Sequence, residues 1–297
     1  MKKTFYTACI LLAGVLWGVM GLFVRALERC GFTSLQITAI RLSFGTLLLW
    51  LFVLLFARDK LRAPRGVLPV LAALGVCSVF LMSYTYFSAI LYSSLSVAAI
   101  LLYTAPIWVV LASAIFYREK LTAKKIIALC LAFGGCVAVS AGGDASLGAR
   151  GVLFGLCAGL TYALYSIIGK GALARCHPVT VTLYAFTFAS VVSLCFAPPR
   201  ALFAVAASAG AHPVRILLLA AATGLVTVTL PYLFYTQGLA HIPAGKASIM
   251  ASVEPAVATL AGVLVYRERP SVTAALGVAA IFAAILLLNL PIGENNS

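Results

Sequence analysis

Apolar residues along this chain gather into ten long runs separated by short polar gaps. They fall at about 6–26, 33–57, 67–90, 94–117, 122–142, 148–170, 178–197, 213–237, 243–266 and 271–291. Each run is close to the roughly 20 residues that carry an α-helix across the hydrocarbon core of a bilayer. The pattern predicts an all-α polytopic membrane protein with ten transmembrane helices. Of the gaps, 198–212 (PPRALFAVAASAGAH) leaves room for a small element outside the membrane. The first run, preceded by Lys2 and Lys3, imitates a signal peptide. No clear A-x-A cleavage site follows it and a similar segment recurs near 151–170, so it reads as a retained first helix.

The runs also repeat. TAPIWVVLASAIFYREKLTAKK, from Thr104, aligns with VEPAVATLAGVLVYRERPSVTA, from Val253. Pro106 meets Pro255 and Arg118-Glu119 meets Arg267-Glu268, each 149 residues apart, and Tyr86/Tyr235 and Ala98/Ala247 keep the same offset. One five-helix unit is therefore used twice, over 6–142 and 148–291, with a short tail at 292–297. An odd number of helices per unit inserts the two copies in opposite directions. Inverted repeats of this kind build secondary transporters, whose binding site lies near the midplane between the halves.

Composition narrows the class. Hydrophobic residues make up 63% of the 297 and charged residues 9%, against about 45–50% and 25% in soluble domains, and the mean hydropathy is +1.11. The net charge of +14 lies in the gaps and not on one amphipathic face, which reads as a topology signal and not as a nucleic-acid footprint. With the N-terminus inside, inner gaps hold 12 Lys and Arg and outer gaps 7, so both termini are expected in the cytoplasm. The eight cysteines form no CxxC pair and the three histidines are scattered. They read as small buried hydrophobes and isolated side chains, with no metal or cofactor expected.

Few polar residues stand inside the runs. Glu254 lies near the middle of the ninth, where an ionisable group costs roughly 2.5–3.5 kcal/mol on insertion scales and is a functional candidate by default. Two readings are open: a substrate or proton site, or a neutral group bonded to a neighbouring helix. Its counterpart in the fourth run is Ala105, so the fold does not demand a carboxylate there. Arg41, inside the second run, is a candidate for an anionic substrate group, against snorkelling or structural pairing. Trp17, Tyr86, Tyr103, Tyr162 and Tyr235 are candidates for an aromatic cavity, against lipid-facing or packing roles. Pro106 and Pro255 read as hinges or static kinks. Arg118, Glu119, Arg267 and Glu268 read as interfacial ion pairs at helix ends. The glycine stripes Gly14/Gly18 and Gly151/Gly155/Gly159 read as close helix contacts.

Together these features resemble the EamA-type branch of the drug/metabolite transporter superfamily: Trp17-Gly18, Arg41, Pro106 with Arg118-Glu119, and Glu254-Pro255 with Arg267-Glu268, over two units that fill the chain. The resemblance implies an exporter or exchanger of small metabolites such as amino acids. Its cavity would be lined by the first, third, fourth, sixth, eighth and ninth helices. The expected function is secondary transport by alternating access, with proton coupling left open. The expected partners are a small-molecule substrate and the lipid bilayer, and the oligomeric state is left open. The alternatives are an intramembrane enzyme, against which stand the missing HExxH, paired-aspartate and Ser/His/Asp patterns, and a flippase of lipid-linked substrates.

Overall fold

The structure, a computed structural model, describes residues 2–141, 148–208, 212–267 and 271–290. Ten helices are long and apolar enough to cross a membrane: α1 (Thr4–Glu28), α2 (Ser34–Phe56), α3 (Arg65–Tyr92), α4 (Ser96–Phe116), α5 (Ala123–Ser140), α6 (Ala149–Leu173), α7 (Pro178–Phe196), α8 (Pro213–His241), α9 (Ala244–Tyr266) and α10 (Val272–Asn289). Their outer faces leave large apolar side chains bare, Phe56 and Leu91 at 77% and Leu264 at 81% exposure, as hydrocarbon favours and water does not. The long gap holds a short helix, Pro199–Ser208. α8 runs about a turn past its apolar run, so Gln237 lies within the helix.

Local chemistry sets the ends. Thr33 and Gln36 form a reciprocal capping box at the start of α2. Thr122 accepts from the Lys125 N–H at 3.2 Å and Ser271 from the Ala274 N–H at 3.1 Å, capping α5 and α10 at positions 149 residues apart. α7 and α8 each open on a His-Pro pair. The proline takes the first helical position and the histidine Nδ1 accepts a backbone N–H, satisfying one of the orphan donors of a helix start.

Most helices that face the middle of the bundle are irregular, while α6 runs unbroken over Ala149–Leu173. α3 and α8, the third helix of each half, contain π-helical segments, Leu74–Phe80 and Leu225–Thr229. α1 is interrupted at Val19. α4 stops at Leu102 and restarts as Ala105–Phe116, and α9 stops at Ala251 and restarts as Val253–Tyr266. The sequence leaves each proline open as a hinge or a static kink; in the structure each stands just after a break in its helix. Pro106 and Pro255 sit in the first turn of the second segments, where a missing N–H sacrifices no helical hydrogen bond.

Contacts cross between the halves. α1 packs on α8 and α9, α6 on α3 and α4, α2 on α7, and α5 on α10. The glycine stripes lie at close approaches among these. A Cβ on Gly18 would lie 2.8 Å from the Glu254 carbonyl oxygen, and one on Gly159 2.6 Å from that of Leu101. Thr46 donates to the Phe186 carbonyl at 3.0 Å and Trp50 to Thr187 at 3.0 Å, tying α2 to α7. At the α5–α10 crossing, a Cβ on Gly135 would lie 2.7 Å from the Gly277 carbonyl oxygen. Backbone cannot turn aside as a side chain does, so Gly135→Val is expected to cost about 1–3 kcal/mol. The melting temperature of the purified protein reads this. Gly134→Ala, where a Cβ meets nothing within 4 Å, is the matched control and is expected to melt with the native protein.

Candidate functional site

A cavity opens where the interrupted helices meet. Trp17 of α1, Tyr103 and Pro106 of α4, Tyr162 and Tyr165 of α6, Tyr232 and Tyr235 of α8, and Ser248, Ser252 and Glu254 of α9 line it. Its free volume is about 20 Å³, room for about one water molecule. Sites that enclose a small organic ligand run to roughly 300–1,000 Å³. In this conformation the cavity is closed around its own side chains, and a solute fits only if the helices part.

Glu254 owes its place to the break in α9. It lies in the first turn of the second segment, where the positive end of a helix favours a carboxylate. Tyr162 donates its hydroxyl to Glu254 Oε2 at 3.2 Å. The other oxygen, Oε1, receives no hydrogen bond from the described residues. Trp17 is only 5% exposed and stands edge-on to Tyr232 at 4.9 Å and to Tyr162 at 6.4 Å between ring centroids, with Tyr235 at 5.3 Å. The ring hydroxyls behind it are committed: Tyr235 to Ser166 at 2.7 Å and Tyr165 to Thr236 at 2.9 Å.

Five of the seven substrate-binding candidates thus share one lining: Glu254, Trp17, Tyr103, Tyr162 and Tyr235. Arg41 and Tyr86 stand behind it, within electrostatic reach of Glu254. Arg41 donates from Nε to the Thr227 hydroxyl at 3.0 Å, in the π-helical part of α8, and forms no ion pair with Glu254. The sequence reading missed Tyr165, Ser166, Ser248 and Ser252. Tyr165 and Ser166 follow Tyr162 at i+3 and i+4, which puts all three on one helix face, and that spacing was the available signal.

The expected pairing at the end of α4 is corrected. Arg118 takes a left-handed conformation, φ 52°, and Arg267 the same at φ 55°, so both close their helices by backbone shape. Glu119 pairs not with Arg118 but with Lys125, at 2.6 Å. Its two oxygens also accept the N–H groups of Ala244 at 2.7 Å and Gly245 at 3.3 Å. A carboxylate of the first half thereby caps the start of α9 in the second, as the orphan amides of a helix start require. Nearby, Lys170 donates to the carbonyls of Leu239 and Ile242, at 2.6 and 3.0 Å, at the end of α8. Tyr117 donates to the Ile167 carbonyl. Burial raises the Tyr117 phenol above its ordinary value, a backbone hydrogen bond at Gly171 opposes this, and the Glu119 charge adds to it. Lys246 donates to the Leu288 carbonyl at 2.9 Å, at the end of α10. Glu268 lies outside the described residues.

Among the described residues, ten helices long and apolar enough to cross a membrane, with an aromatic and carboxylate cavity between them, indicate a multi-pass membrane protein. The EamA-like transporter family matches the chain twice, over residues 4–141 and 149–290, and the chain belongs to that family. It is 30% identical over 281 residues to an uncharacterised transporter of Archaeoglobus fulgidus, covering 94% of each chain. It is 27% identical over 249 residues to the threonine/homoserine exporter RhtA of Escherichia coli K12, covering 84% of this chain and 79% of that one. A protein of known crystal structure superposes with a TM-score of 0.79 at 20% identity, over 96% of each chain, and shares the fold. Family and relatives indicate a transporter, not an enzyme.

Proposed function

We propose that the protein is a secondary transporter that moves a small organic metabolite, an amino acid or a similar solute, out of the cell by alternating access. The observation that carries this is the cavity at the level where α4 and α9 are both interrupted. Binding sites at paired helix breaks between two repeats belong to carriers. The two five-helix units would be inverted copies that rock around this site, with coupling to protons or to a counter-solute. The relative RhtA, a threonine/homoserine exporter, supports amino acids as the first solutes to assay. Flux of labelled threonine, homoserine and a wider metabolite panel into vesicles containing the purified protein, with product analysis, tests the reading. Net movement of an unchanged solute is expected; conversion without movement would sink it.

The charge bias across the gaps supports a cytoplasmic-membrane location with both termini inside. Lys120→Cys, in a protein stripped of its native cysteines, is then expected to resist a membrane-impermeant maleimide added to intact cells. Labelling from outside would invert the topology.

A further inference from the structure

Of the groups that line the cavity, Glu254 alone bears a formal charge; none of the others is a lysine, arginine or histidine. Arg41 stays outside the lining, its Nε held by Thr227. Three of the tyrosine hydroxyls are already used: Tyr162 on Glu254, Tyr165 on Thr236 and Tyr235 on Ser166. What remains for a ligand is the Glu254 Oε1 oxygen as the one charged acceptor, the neutral Tyr103 and Tyr232 hydroxyls and Trp17 N–H, and the π-surface of these rings. A carboxylate beside clustered aromatic rings attracts organic cations through charge and through the ring quadrupoles. For an isolated carboxylate the lining holds no cation, only neutral donors such as the Trp17 indole and the Tyr103 and Tyr232 hydroxyls, beside a charge of the same sign.

We infer that the cavity recognises its solute by an ammonium group, seated between Glu254 and the rings of Trp17, Tyr103 and Tyr162, and that a carboxylate on the solute is not required. This rests on the transporter reading and gives it a substrate class: organic amines, with amino acids accepted through their amino end. Tyr162 acts as a positioning residue. Its hydroxyl holds Oε2 at 3.2 Å and leaves Oε1 without a hydrogen bond from the described residues.

The test is a matched probe set on the full chain: 2-phenylethylamine, its N-trimethyl derivative, phenylalanine and 3-phenylpropionate. Trp50→Phe and Trp108→Phe leave Trp17 as the single tryptophan, whose fluorescence reports occupancy. The shift in melting temperature of the native protein is the second readout should that variant fold poorly. Both amines are expected to bind at least tenfold more tightly than 3-phenylpropionate. Glu254→Gln is expected to erase that preference, and Tyr162→Phe to weaken amine binding several-fold. Phenylpropionate binding as tightly as the amine would overturn the inference, as would phenylalanine binding where phenylethylamine does not, or no binding by any of the four. Labelled phenylethylamine in the vesicle assay separates the two readings. An amine bound but never moved would remove the transporter function and leave the ammonium site standing; a carboxylate moved in its place would do the reverse.

Discussion

Glu254→Gln is expected to reduce solute affinity by about 30-fold or more, the roughly 2 kcal/mol or more lost when one partner of a desolvated charge pair is removed. The substitution is nearly isosteric, and the glutamine carbonyl still accepts the hydroxyl of Tyr162, which reaches Oε2 at 3.2 Å in the native protein. The fold should therefore survive, so lost transport with an unchanged melting temperature would mark a functional carboxylate. Unchanged binding and flux would leave Glu254 as a helix-start residue bonded to α6. Removal of Tyr162 alone, by Phe, separates positioning from charge, since the carboxylate stays.

Glu119→Ala should be the most damaging single change to stability. The Lys125–Glu119 pair is 9% and 12% exposed at its side chains, and breaking such a pair from one side typically costs about 3–5 kcal/mol because the surviving charge stays buried. Two backbone N–H groups at the start of α9 lose their acceptor in the same step. Glu119→Gln, which keeps an oxygen for them, should fall between native and alanine. Adding Lys125→Met to Glu119→Gln should recover part of the loss, because no unpaired charge remains. Melting temperatures of the native protein, Glu119→Gln, Lys125→Met and the double variant give the cycle. Equal melting of the alanine variant and the native protein would dismiss the clamp.

Much of the fold was legible because the bilayer writes length and hydropathy directly into sequence. The ten runs differ from the ten helices mainly at their ends, as with α8 and its Gln237. The 149-residue offset was readable from Pro106/Pro255 and Arg118/Arg267, and it reappears in the caps Thr122 and Ser271. The interruptions were not readable. A proline inside an apolar run is compatible with a kink or a fresh start, and packing decides between them: Gly18 lets α1 lie against the Glu254 carbonyl at the break. The π-helical segments of α3 and α8 hold no proline themselves, although Pro231 follows the second by two residues, and they pack on α7 and α2 respectively. In the site, rare polar residues announced themselves, as Glu254 and Trp17 did. Tyr165 hid among other aromatics, and the partner of Glu119 lay a loop away, where local sequence favoured Arg118.

The His-Pro starts of α7 and α8 have a consequence for acid sensitivity. Val179 and Val214 each donate to the histidine at 3.3 Å; an imidazole caps through Nδ1 only while that nitrogen is unprotonated, so the α7 start loses its acceptor when His177 gains a proton. Because consecutive spans run in opposite directions, these two starts face different compartments. At His177, partial burial and then the neighbouring Lys60 lower the imidazole below its ordinary value, with Asp59 opposing. The stabilisation it gives is therefore present above the ordinary histidine range and is lost as pH falls through the lowered value. The α7 start thus stays capped to a lower pH than an ordinary histidine would allow, and the pH it meets is that of one side of the membrane.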